Sequence, residues 1–105
     1  MDETIYQKHM KIIIQLVGDL GVDGADDYLR QELMDISKKV AIFREKIADL
    51  KDHLQQTTNT DEIFHLEWDI KSAKELLDKL LIELKIIDER YICFRKYITE
   101  KENIS

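Results

Sequence analysis

The stretch Leu29–Leu54, LRQELMDISKKVAIFREKIADLKDHL, decides the fold of this chain. Its apolar residues Leu29, Leu33, Ile36, Val40, Phe43, Ile47, Leu50 and Leu54 recur at alternating steps of four and three. That spacing draws one apolar stripe down one side of an α-helix, and its persistence over several heptads predicts a coiled-coil-like seam. Between the stripe residues stand mostly Lys, Arg, Asp and Glu, the composition of a solvated outer face.

Downstream the pattern stops at a polar tract, Gln55-Gln56-Thr57-Thr58-Asn59-Thr60, which reads as a turn. Asn59 with Glu62 three residues later has the spacing of a capping box, the signature of a new helix N-terminus. From there Ile63, Leu66, Ile70, Ala73, Leu77, Leu80, Leu84, Ile87, Tyr91, Phe94 and Ile98 again step by three and four. The turn reads Thr57-Thr58-Asn59-Thr60-Asp61 and holds no Trp-x-Gly, the motif that defines small hairpin proteins of the WXG type.

The two seams fit one another as an antiparallel pair. Leu54 with Leu66, Leu50 with Ile70, Ile47 with Ala73, Phe43 with Leu77, Val40 with Leu80, Ile36 with Leu84, Leu33 with Ile87 and Leu29 with Tyr91 keep constant register. The pivot of that register falls near Thr60, inside the polar tract, so both heptad phases and the turn point to one hairpin. Phe94 and Ile98 overhang the start of the partner helix and need another cover.

A first helix over about 4–17, with Tyr6, Met10, Ile13, Val17 and Leu20 as its stripe, can supply that cover. Gly18, Gly21 and Gly24 are all the glycines in the chain and predict a break between this helix and the next. Apolar residues off the seam, Met34, Ala41, Ile42, Leu81, Ile82, Ile86, Ile92, Cys93 and Tyr97, gather on the half of the hairpin where a third helix is expected. The expected architecture is therefore all-α: a short N-terminal helix packed on one end of a long antiparallel coiled-coil-like helical hairpin, a three-helix bundle. Helices are expected over about 4–17, 25–56 and 60–101, in a single domain over 1–105.

Bulk composition narrows the function classes. The chain has 105 residues, 36% of them charged, no proline and a net charge of −6, with acidic residues ahead of basic ones in every segment. A nucleic-acid interface needs clustered cations to neutralise phosphates, and an anionic membrane surface needs the same, so neither partner is expected. The apolar run Ile12-Ile13-Ile14 is too short to span a bilayer, and Asp2 and Glu3 precede it where a signal peptide carries cations. The lone Cys93 cannot close an internal disulfide, which suits an intracellular, cytoplasmic setting.

No catalytic constellation is legible. Cys93 lacks a neighbouring base, His9, His53 and His65 lack metal-ligand spacing, and no phosphate loop or nucleophile elbow occurs. Glu62-Ile-Phe-His65 has the Glu-x-x-His spacing found in di-iron carboxylate bundles, but such sites need two of these motifs and two further inward glutamates. A dimer supplying a second copy of Glu62 and His65 is the one route to a metal site.

Phe64 and Trp68, one helical turn apart and off the seam, are placed near the tip where no third helix reaches. Large aromatics left wet are the usual anchors of protein interfaces. The chain is accordingly expected to be a non-enzymatic protein–protein interaction module, without a cofactor. It is expected to self-associate as a homodimer and to act as an adaptor, chaperone or inhibitor of a protein partner through Phe64 and Trp68.

Overall fold

The computed structural model describes residues 2–104, all but a few of them helical. Helix α1 runs over Glu3–Gln56 and helix α2 over Thr60–Ile104. Residues 57–59 join them. Among the described residues there is no strand, and no helix is long and apolar enough to cross a membrane.

Two elements stand where three were expected. The break anticipated across residues 18–24 is reduced to Gly21, the one residue within α1 that leaves helical geometry, at φ 76° and ψ 172°. Gly18 and Gly24 remain within the helix, which glycine permits at modest cost. Gly21 occupies a backbone region that is essentially closed to side-chain-bearing residues. The spacing of glycines located the break but overstated its length.

Each helix starts on a side-chain cap. Asp2 Oδ1 accepts the N–H of Thr4 at 2.7 Å, and the Asp2 carbonyl accepts that of Tyr6 at 2.9 Å. At α2, Asn59 Oδ1 accepts the N–H of Glu62 at 3.1 Å and the Asn59 carbonyl accepts that of Ile63 at 2.9 Å. These contacts satisfy N–H groups that have no partner within their own helix.

The contacts divide the chain into two compact units, one of Ile36–Glu83 and one of the residues up to Asp35 together with those from Leu84. In the first, Ile36, Val40, Ile47, Leu66, Ile70 and Ala73 are buried. The other seam residues of that unit, Phe43, Leu50, Leu54, Ile63, Leu77 and Leu80, are half-buried. Every expected seam position there is removed from water at least in part, as two helices alone allow.

The second unit centres on Ile13, Ala25, Leu29, Cys93 and Phe94, with Met10, Leu16, Val17, Tyr91, Tyr97 and Ile98 packed around them. Phe94 and Ile13 are fully buried, so Phe94 is covered by the N-terminal segment of α1. Fully burying a side chain of this size contributes roughly 1.5–3 kcal/mol. At the edge of that core the Tyr91 hydroxyl donates to Asp26 Oδ1 at 2.9 Å and accepts from Arg30 Nε at 2.9 Å, while Arg30 pairs with Asp26 at 3.0 Å.

The stripe of the N-terminal segment needs correction at both ends. Tyr6 and Leu20 are exposed, and the buried face consists of His9 and Ile13 flanked by Met10, Leu16 and Val17. The off-seam residues also differ from expectation. Cys93 is buried and Leu81 and Tyr97 are half-buried, but Met34, Ile42, Ile82 and Ile92 are each more than half exposed.

Candidate functional site

The first turn of α2 and the residues before it form a closed hydrogen-bonded lock. His53 Nε2 lies 2.6 Å from Glu62 Oε1, and the Thr57 hydroxyl donates to Glu62 Oε2 at 3.0 Å. Thr57 Oγ1 in turn receives the Asn59 N–H at 3.4 Å. The capping box read from Asn59 and Glu62 is thus half formed: Asn59 caps Glu62, whereas the Glu62 carboxylate crosses to His53 of α1.

That geometry bears on the Glu-x-x-His motif. Both Glu62 oxygens are engaged within the lock, and His65 is exposed, with its ring packed edge-on to Phe64 at a centroid distance of 5.9 Å. Among the described residues, no group of three or more His, Cys, Asp or Glu side chains could hold a metal ion.

Phe64 and Trp68 point away from the seam. They are 66% and 61% exposed, so most of each ring is left uncovered by the chain. Lys71 places its ammonium 5.9 Å from the Trp68 ring, within reach of a cation–π attraction. Phe64, Glu67, Trp68 and Lys71 together line an open groove of about 180 Å³. A flat aromatic surface flanked by one carboxylate and one ammonium can bind through apolar contact and be oriented by charge.

A second polar cluster was not legible as a site in the sequence. His9 is 2% exposed in the unit that holds Phe94. Arg90 Nε donates to His9 Nδ1 at 3.4 Å, and Arg90 also pairs through Nη1 with Glu32 at 3.1 Å. The proton of neutral His9 must then sit on Nε2, which lacks a hydrogen-bond acceptor and has the Glu89 carboxylate 3.9 Å away. Burial pushes the His9 pKa down from 6.5, Arg90 adds to that, and Glu89 opposes it. The one signal available was position, since His9 precedes Ile13 by one helical turn on the same face.

Cys93 is buried beside Phe94, and burial, reinforced by Glu89, pushes its thiol pKa up. A thiol held protonated is a poor nucleophile, which agrees with a packing role. In comparisons with known proteins, no family model, no curated protein and no solved structure matches the chain.

Proposed function

We propose that this chain is a non-enzymatic helical interaction module that self-associates through Phe64 and Trp68, and that it serves as a small adaptor, chaperone or inhibitor of a protein partner. The exposure of these two neighbouring aromatics carries the reading. Their own chain leaves them uncovered, although aromatic burial supplies much of the energy in helical cores and interfaces. The charged groups around them are few and mixed in sign, as at the rim of a protein contact.

In the same reading the unit built on Phe94 is a short three-helix bundle. Gly21 separates its first two helices, a division supported by the Gly21 backbone angles and by the packing of Ile13 against Ala25, Leu29 and Phe94. The setting is intracellular, supported by Cys93 being a single buried thiol. The metal-binding alternative through Glu62 and His65 has less support, because the Glu62 carboxylate is already held by His53 and Thr57.

Sedimentation over a range of concentrations tests the self-association reading. The native chain is expected to shift toward dimer as concentration rises, and Trp68→Ala and Phe64→Ala each to shift it back. A chain that stays monomeric at every concentration overturns the proposal.

A further inference from the structure

Deepening this self-association reading, on which it rests, we infer that the surface at Phe64 and Trp68 binds a second copy of the chain across a two-fold axis. In this arrangement the two α2 helices run antiparallel, Phe64 lies on the partner's Trp68, and Asp61 meets the partner's Lys71. Asp61, Phe64, Trp68 and Lys71 follow one another at steps of three, four and three, so they form a single line down the outer face of α2. All four are exposed, and the line lies apart from the seam residues Ile63, Leu66 and Ile70.

The order along that line is anion, aromatic, aromatic, cation. A two-fold axis perpendicular to the helix, passing between Phe64 and Trp68, reverses the order in the second copy. Each Asp61 then faces a Lys71, and each Phe64 faces a Trp68. The register is constant, as an antiparallel helix pair requires, and a two-fold interface must be self-complementary in this way. A parallel pairing would place Asp61 against its own copy and Lys71 against its own, with like charges opposed at both ends of the line. Charge complementarity at the two ends of the line, Asp61 and Lys71, therefore selects both the occupant and its direction.

The contact is small. The exposed parts of two such rings offer on the order of 250 Å² per copy, well below the roughly 800 Å² per partner of a standard stable interface. The dimer is accordingly a weak one, in exchange with monomer, and suited to replacement by another partner.

Charge exchange tests the register. The dissociation constant is measured by analytical ultracentrifugation up to about 1 mM, an affinity worth about −4 kcal/mol, with circular dichroism confirming helix content for each variant. Asp61→Lys and Lys71→Asp, taken singly, are each expected to weaken the homodimer by on the order of tenfold, since every exchange places like charges together twice. The double variant Asp61→Lys/Lys71→Asp is expected to return to within about threefold of the native chain, because both contacts are restored in reverse. An equimolar mixture of the two single variants is expected to do the same. Single variants that dimerise like the native chain, or a mixture that binds more tightly than it, overturn the antiparallel register. If Trp68→Ala still abolishes the dimer in that case, the self-association reading survives and only the register falls; a native chain that is monomeric throughout removes both.

Discussion

Arg90 donates its Nε hydrogen to Nδ1 of His9 at 3.4 Å, joining residues eighty-one positions apart. Protonating His9 would put a hydrogen on that nitrogen, replacing an accepting contact by two donors and two positive charges. Burial and Arg90 both hold the His9 pKa below its ordinary value of 6.5, with Glu89 opposing them. The unfolded chain therefore takes up the proton at a higher pH than the folded one, so stability rises with pH through that interval. The contribution is fully present above about pH 6.5 and is lost as the pH falls through the folded-state value. Hydrogen exchange should show residues 9–17 losing protection on acidification, and His9→Gln, which stays neutral, should flatten that dependence. An unchanged pH profile in His9→Gln would falsify the assignment to His9.

The three glycines near the break should respond differently to alanine. Gly21 sits at φ 76° and ψ 172°, with open space where a Cβ would go, so the penalty there is one of backbone alone. Gly21→Ala is expected to destabilise the fold by about 1–3 kcal/mol. Gly18 has helical angles and equally open space, and Gly18→Ala is expected to stabilise by about 0.5–1 kcal/mol. At Gly24 a Cβ would come within 2.8 Å of Leu20 Cβ, a close approach that alanine could not enter without displacing the chain. Denaturant titrations of the three variants rank them, and a neutral Gly21→Ala would contradict the strain at the break.

Periodicity made the seam legible residue by residue, because burial between two helices depends on little beyond apolar spacing. The faces of the N-terminal segment were harder to read. Hydropathy favoured Tyr6 and Leu20, which are exposed, over His9, which is buried. A polar residue enters a core more readily when a distant partner satisfies part of it, and Arg90, which donates to His9 Nδ1, is invisible from residues 1 to 20. Glu62 shows the same limit, since its carboxylate turns to His53 and Thr57 rather than back to the start of its own helix. Phe64 and Trp68 were legible as off-seam aromatics, and the structure adds that their own chain leaves them uncovered.

Asn59 should matter more to stability than the His53–Glu62 contact beside it. Its side chain satisfies the Glu62 N–H, and removal of such a cap typically costs about 1 kcal/mol. The His53–Glu62 contact is short, but its side chains are 56% and 42% exposed, so water competes for both. An exposed pair of this kind contributes roughly 0–1 kcal/mol. Asn59→Ala is therefore expected to lower the denaturation midpoint more than His53→Ala does, without a change in the denaturant slope.

The antiparallel arrangement also carries a liability at Glu67. This residue lines the groove beside Trp68, one residue from the midpoint of the Asp61–Lys71 line. Reversal about that midpoint brings Glu67 near its own copy, so two carboxylates face each other across the axis. Like charges at that separation weaken association, with Lys71 one turn along the same helix offsetting part of the repulsion. Glu67→Gln keeps the shape and removes the charge, and is expected to tighten the dimer by about threefold to tenfold. Raising the salt concentration should narrow the difference between the two forms, because screening reduces repulsion in the native chain and leaves the neutral variant little to gain. If Glu67→Gln instead loosens the dimer, the carboxylates are apart and the axis lies elsewhere on α2.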